Sequence, residues 1–340
     1  MSLTEASKLQ FTADLSICRI LNGMWQVSGA HGPIDPEKAI PSMFNYLDSG
    51  FTTWDLADHY GPAEDFIGEF RRQLEASRGA QALSSLQAFT KWVPQSGQMT
   101  RRFVEENIAL SLRRMNVETL DLLQFHWWDY QDTKYVDALN HLSELRDEGK
   151  IRHIGLTNFD TEHLKHIIDQ GIRVVSNQVQ FSIIDRRPEV QMIRFCKEHN
   201  IQLFSYGTLC GGLVSDKYLG QPEPGGGALN TASLRKYKQM ADAWGGWDLF
   251  QELLRTLKQI SNKHSVSIAN VAVRYILDKP AVAGVIIGVR LGVTEHRADN
   301  ARVFNFTFTL DKEDHDLIET VLHRSRDLYR LIGDCGDEYR

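Results

Sequence analysis

FTTWDLADHYGPAEDFIGEFRRQLEAS, residues 51–77, contains one structural unit and one chemical question. It opens on a short β-prone run, FTTW. It then sets Asp55, Asp58, His59 and Tyr60 close together, and closes on AEDFIGEFRRQLEAS, where Phe66, Ile67, Phe70 and Leu74 recur at helical spacing. The order is strand, polar rim, helix. Polar groups at the end of a strand are costly to bury without partners. DLADHYG, 55–61, is therefore either a solvated turn or a working site, and the rest of the chain decides between them.

The same unit recurs in both directions. Upstream, ICRILNGMW (17–25) reads as a strand and IDPEKAIPSMFNYLDSG (34–50) as a helix. Asp35 is its N-cap, Pro36 its first residue, and Gly50 follows its end. Downstream, LQAFTKWV (86–93) precedes MTRRFVEENIALSLRRMN, and TLDLLQFHWW (119–128) precedes YVDALNHLSELRDEGK. IRHIGLTNF (151–159) precedes TEHLKHIIDQG, and RVVSNQVQFS (173–182) precedes PEVQMIRFCKEHN. IQLFSYGTL (201–209) is the seventh strand and AGVIIGVR (283–290) the eighth, with SIANVAVRYILDKP as the helix between them. Eight strands in alternation with helices predict an α/β protein, a (β/α)₈ TIM barrel. The strands are apolar on both faces, as parallel strands are. No linker divides the middle, so residues 1–340 are expected to form a single domain. KLQFTADLS (8–16) is expected as an N-terminal hairpin closing one end. The Gly- and Pro-rich stretch 211–247 is expected as a long loop after strand seven, and DKEDHDLIETVLHRS as an extra C-terminal helix. The tail, 325–340, is charged and shows no period.

Composition narrows the class. Apolar residues make up 42% and charged residues 24%, values of an ordinary globular chain. The net charge of −6 is well mixed and no basic block occurs, which argues against a nucleic-acid partner. No apolar run is long enough for a membrane span. Cys18, Cys196, Cys210 and Cys335 are scattered without a CxxC, which points to reduced thiols and a cytoplasmic location. His163 and His166 in TEHLKH lack a third ligand, so no metal site is expected.

Active sites in this architecture lie at the C-terminal ends of the strands. There the sequence places Asp55 and Tyr60, Lys91, His126, Thr157 and Asn158, Asn177 and Gln178, Tyr206, and Arg290. Four of these define a chemistry. A phenol of ordinary pKa near 10 is a reluctant proton donor. A buried ammonium beside it, Lys91, is expected to lower that pKa, and Asp55 to keep the lysine charged. His126 can hydrogen-bond a substrate oxygen and orient it. Together these groups polarise a carbonyl and deliver a proton to its oxygen. No side chain supplies a hydride, so a cofactor must.

With these motifs in place, the chain resembles the aldo-keto reductases. The likeness rests on DLADHYG, FTKW, LLQFHWW, GLTNF, SNQVQF and VIIGVRLGVTEHRADN, in that order, from about residue 10 to about residue 320. It is similar to the longer-loop branch that includes bacterial and plant reductases and the potassium-channel beta subunits. The resemblance implies catalytic roles for Asp55, Tyr60, Lys91 and His126, with Tyr60 as general acid. It implies that Thr157, Asn158 and Gln178 hold the nicotinamide carboxamide, and that Tyr206 stacks on the ring. Thr157 stands where the family usually has Ser. Gly207 and Thr208 stand where it often has Ser and Pro. Gly288, Val289 and Arg290 would meet phosphates, Arg290 reading a 2′-phosphate, with His296 or Arg297 nearby and Asp299 and Asn300 at the adenine. NADP (NADPH) is thus expected ahead of NAD. Trp25, Trp92, Trp127 and Trp128, with Trp244 and Trp247 in or near the long loop, are candidates to line a pocket for a bulky carbonyl or alcohol, Trp25, Trp92 and Trp127 foremost. The resemblance also admits a second reading, a nicotinamide-binding redox sensor with slow turnover. Oligomeric state is open.

Overall fold

Residues 3–305 and 308–340 are described by a computed structural model. The N-terminal hairpin is formed by β1 (Lys8–Thr12) and β2 (Leu15–Cys18), paired antiparallel. The barrel strands are β3 (Ile20–Gly23), β4 (Thr53–Asp55), β5 (Gln87–Trp92), β6 (Leu120–His126), β7 (Ile151–Thr157), β8 (Ser176–Gln180), β9 (Gln202–Tyr206) and β10 (Val282–Gly288). Each is parallel to its neighbour, and β10 pairs with β3 to close the ring. This is the (β/α)₈ barrel expected from the sequence.

The outer helices are α1 (Pro36–Asp48), α2 (Ala63–Arg78), α3 (Arg101–Met115), α4 (Tyr135–Asp147), α5 (Thr161–Asp169) and α6 (Met192–Glu198). Their ends follow local chemistry. The Asp35 carboxylate accepts from the Glu37 amide at 3.0 Å, with Pro36 at the first position. Thr100 caps α3, and Asn116 ends it in the left-handed region at φ 54°.

The segment 211–247 is not a plain loop. It carries 3₁₀ turns and then α7 (Ala232–Trp244), capped by Thr231. α8 (Gly246–His264), which the sequence reading omitted, follows directly and buries Leu249, Leu253, Leu254, Leu257 and Ile260. Its apolar spacing is regular, but the neighbouring QPEPGGGALN drew the reading toward loop. α9 (Ile268–Leu277) precedes β10. α10 (Arg297–Ala301), α11 (Lys312–Leu322) and α12 (Leu328–Ile332) complete the chain. No helix among the described residues is long and apolar enough to cross a membrane.

Two apolar layers result. One lies between the barrel wall and the helices. The other fills one mouth of the barrel, where Phe11, Leu15 and Ile17 of the hairpin pack on Leu21, Phe89, Leu122, Phe204 and Ala283. The Phe11 ring lies 5.1 Å from Phe204 and 6.2 Å from Phe89. The opposite mouth, at the strand C-termini, is polar.

Candidate active site

Period-two alternation decides which side chains enter the barrel. On β5, Phe89 and Lys91 point inward. Thr90 points outward and donates to Glu64 of α2, and Trp92 packs on Phe103 of α3. On β6, Leu122, Gln124 and His126 share the inner face. The same rule sends Phe125 and Trp127 to the helix layer.

A polar layer lies above the apolar plug. Lys91 Nζ donates to Asp55 Oδ2 at 2.6 Å and to the Leu56 carbonyl at 3.0 Å. Asp55 Oδ1 accepts from Gln124 Nε2 at 2.9 Å and Gln178 Nε2 at 2.7 Å. Gln178 Nε2 also reaches Gln124 Oε1 at 2.7 Å. Asp55 and Lys91 are 3% and 2% exposed, so this ion pair is dry. A buried charge pair is tolerable only with such complete hydrogen bonding. Burial pushes the Lys91 ammonium down, and the Asp55 charge opposes that shift.

Tyr60 sits in the turn after β4, its amide bonded to the Ala57 carbonyl. Lys91 Nζ is 5.1 Å from its ring centroid. The sequence led to the expectation that Lys91 lowers the phenol pKa. Instead burial, and after it the Asp55 charge, push the phenol well above its ordinary value. Asp55 already answers the lysine charge at 2.6 Å, so little positive field is left for the phenol. Tyr60 is thus held in its protonated form.

His126 Nδ1 lies 3.0 Å from the Thr157 carbonyl. A carbonyl only accepts, so Nδ1 carries the proton. Burial pushes the ring down to about 4, so it is neutral at pH 7, and Nε2 is a bare lone pair. Nε2 is buried and has no partner. The sequence led to the expectation that His126 orients a carbonyl, which takes a donor; with the proton on Nδ1, Nε2 is an acceptor and suits the alcohol instead.

Around this centre lie the residues proposed for a nicotinamide. Thr157 Oγ1 is buried without a partner. Asn158 adopts φ 59°, and its Oδ1 is 2.8 Å from the Tyr206 hydroxyl. Asn177 points the other way and donates to the Phe159 carbonyl. Gly207 lies at φ +72°, and a Cβ there would meet the Tyr237 hydroxyl at 2.4 Å. That close approach accounts for glycine after Tyr206. The Thr208 hydroxyl lies within hydrogen-bond distance of the Phe181 carbonyl and of Ser205 Oγ.

The expected adenosine end is gathered less completely. Gly288 leaves room for the Gln26 amide. Arg290 Nη2 donates to the His31 carbonyl at 3.0 Å, while its Nε is buried without a partner. His31 Nε2 is 2.7 Å from Ser233 Oγ, which joins the β3 loop to α7. His296 is exposed, just before α10. Asp299 is engaged by Ser267 at 2.8 Å and by Asn270, and Asn300 is buried behind it. Arg297 is committed to the end of α1, through Asn45 and Ser49.

The assignments of Trp92 and Trp127 are corrected. Trp92 lies against Phe125 and Phe103, and Trp127 donates its indole N–H to the Asp129 and Asp132 carbonyls. Both follow an inward residue, so alternation turns them away from the mouth. Trp25 is half-buried beside His31. Trp128, also a candidate from the sequence, does lie beside the site, its ring 4.4 Å from that of His126. Gln124 was also missed, although its spacing between Leu122 and His126 placed it inside.

The barrel and the polar mouth define an oxidoreductase-type site, and the comparisons with known proteins agree. The profile of the aldo/keto reductase family matches residues 19–323, and the chain belongs to that family. It is 27% identical to the aldo-keto reductase YhdN of Bacillus subtilis (strain 168) over 328 residues, covering 90% of each. It is 22% identical to the NADH-specific methylglyoxal reductase of Escherichia coli (strain K12), covering 82% of this chain and 87% of that one. Among solved structures, the glycerol dehydrogenase from Gluconobacter oxydans superposes with a TM-score of 0.76 at 20% identity, covering 97% of this chain and 98% of that one. An aldo/keto reductase from Klebsiella pneumoniae in complex with NADP and acetate gives 0.68 at 19%, covering 93% and 95%.

Proposed function

We propose that the chain is an NADP(H)-dependent reductase of small-molecule carbonyl compounds, with Tyr60 as general acid. The observation that carries this reading is the dry Asp55–Lys91 pair beside a protonated Tyr60, next to the unpartnered Nε2 of His126. The orphaned polar atoms fit a nicotinamide nucleotide. Thr157 Oγ1 stands at one end and Arg290 Nε at the other, each buried and unpaired. When bound, the reduced nicotinamide supplies the hydride.

The chain's own residues handle the proton. Tyr60 donates to the substrate oxygen as negative charge develops there. The phenolate so formed has the Lys91 ammonium 5.1 Å from its ring centroid, a charge already largely answered by Asp55. The new hydroxyl then donates to the lone pair on His126 Nε2, which orients the alcohol. Gln124 and Gln178 fix the Asp55 carboxylate, and with it Lys91. A phenol held in its acid form suits reduction better than oxidation. Relatives named for NADP and for NADH both occur, and Arg290 is the residue that favours NADPH. One observation favours the alternative of a slow, redox-sensing binder: the chain's own C-terminus covers the site.

A fluorescence titration with NADPH and NADH, followed by turnover of aromatic and aliphatic aldehydes on the same samples, tests the proposal. Tight NADPH binding with turnover is expected. Binding without turnover moves the weight to the sensor, and binding of neither nucleotide defeats both readings.

A further inference from the structure

The last seven residues are built onto the mouth of the barrel. Gly333, at φ +108°, ends α12. Asp334 then accepts from the Thr161 amide at 2.9 Å and gives its carbonyl to Arg187 at 3.0 Å, and Cys335 is buried. These two residues form a fixed anchor. From Gly336 onward the contacts change character. Gly336 lies at φ +89°, and a Cβ there would be 2.1 Å from the Asn158 carbonyl oxygen. Glu338 accepts from Arg187 at 2.9 Å. The Tyr206 hydroxyl is 3.2 Å from both Glu338 Oε1 and the Tyr339 hydroxyl. The Tyr339 ring lies 6.3 Å from that of His126, edge to face, under the Lys236 ammonium at 4.3 Å. Arg340 donates to the Asn158 carbonyl at 2.9 Å and the Trp127 carbonyl at 2.7 Å, and its guanidinium covers Tyr130 at 3.8 Å.

We propose that residues 336–340 are a self-bound strap that competes with the nicotinamide for Tyr206 and Asn158 and lifts about the Asp334–Cys335 anchor before the nucleotide seats. The proposal rests on the cofactor reading above. The strap engages the two residues assigned to the ring and its carboxamide, Tyr206 through its hydroxyl and Asn158 through its backbone carbonyl. Beneath it His126 is 3% and Asn158 7% exposed, so both are covered, while Tyr60 and Tyr206 stay partly exposed.

The latch is reversible by construction. Arg187 is 2% exposed and would be costly to leave unpaired. Asp185 binds it through both Nε and Nη2, each at 2.8 Å, and Gln180 steadies Asp185 at 2.6 Å. Release of Glu338 therefore leaves Arg187 paired. Glu338, Tyr339 and Arg340 regain water when they leave. If the closed form dominates, apparent nucleotide affinity falls by the fraction of chains that are open.

The test compares wild type, a chain ending at Glu338, and Gly336→Ala. The glycine variant pushes the strap off Asn158 without shortening the chain, and guards against misfolding of the truncation. Stopped-flow fluorescence gives NADPH association rates, and amide exchange reports residues 336–340 with and without saturating NADPH. Association about tenfold faster in both variants, with exchange of the strap rising when NADPH binds wild type, is expected. Equal or slower association in the variants, with the strap equally protected in both states while binding persists, overturns the strap and leaves the cofactor reading intact. Binding of neither NADPH nor NADH by any of the three overturns the cofactor reading, and the strap with it.

Discussion

At one mouth of the barrel the N-terminal hairpin sets Phe11, Leu15 and Ile17 on Leu21, Phe89, Leu122 and Phe204. At the other, the C-terminus sets Glu338, Tyr339 and Arg340 on Arg187, Tyr206 and the carbonyls of Asn158 and Trp127. Each terminus closes one end, by opposite physics. The apolar closure is non-directional and gains nothing from opening, because every exposed ring loses its burial. The polar closure is made of hydrogen bonds that water or a ligand replaces nearly one for one. A barrel that must keep one end sealed and admit a ligand at the other can use this difference.

The largest effect separates the two ends by function. Tyr60→Phe removes the proton donor and keeps the ring that faces Lys91. Turnover is expected to fall by on the order of 10²–10⁴-fold, with nucleotide affinity and melting temperature nearly unchanged. Unchanged steady-state turnover with an aldehyde substrate defeats the assignment.

Phe11→Ala tests the opposite end. It opens a cavity between Phe89 and Phe204, and a buried Phe→Ala change costs about 3–5 kcal/mol. Urea denaturation is expected to show that loss. NADPH affinity of the fraction still folded should stay close to wild type. A weakened nucleotide site with intact stability means that the plug and the mouth are coupled through the barrel, and the comparison fails.

The closures also differ in how they can be read. The hairpin is local: KLQFTADLS pairs with itself a few residues apart, and its apolar alternation announces a covered face. The barrel strands, and Asp55, Lys91 and His126 on the inner face, follow from the same period of two. Trp92 and Trp127 were misassigned because adjacency to Lys91 and His126 was read as sharing their face, whereas alternation sends neighbours to opposite faces. The strap was not legible. Its partners Trp127, Asn158, Arg187 and Tyr206 lie far away in sequence, and charged side chains with no period give no sign of which surface they meet. The direction of the Tyr60 shift was hidden for a related reason, since it depends first on how deeply the phenol is buried and then on the Asp55 charge.

His126 sharpens the account of the polar end. Its folded value, about 4, lies below the ordinary 6.5. Below pH 6.5 the unfolded chain therefore binds more protons than the folded one. Stability is present above about 6.5 and is lost as pH falls toward 4, by on the order of 3 kcal/mol from this group. Denaturation of wild type and His126→Asn between pH 7 and pH 4 should show a shallower loss in the variant. Equal slopes mean that the ring is hydrated in solution and the mouth is open more often than shut.

The smallest effect lies at the rim, where a contact can serve two purposes. Arg290 holds the His31 carbonyl at 3.0 Å and keeps a buried, unpaired Nε. The first contact steadies the loop joined to α7 through Ser233. The second leaves a donor for a phosphate. Arg290→Ala removes both, and the two nucleotides tell them apart. Loosening of the loop is expected to weaken NADPH and NADH alike, because it involves no contact to the 2′-phosphate. Loss of a charge-assisted contact to the 2′-phosphate weakens NADPH alone, by about tenfold. A larger loss for NADPH in paired fluorescence titrations is expected. Equal losses assign Arg290 to the loop, and the preference for NADPH then has no residue to carry it.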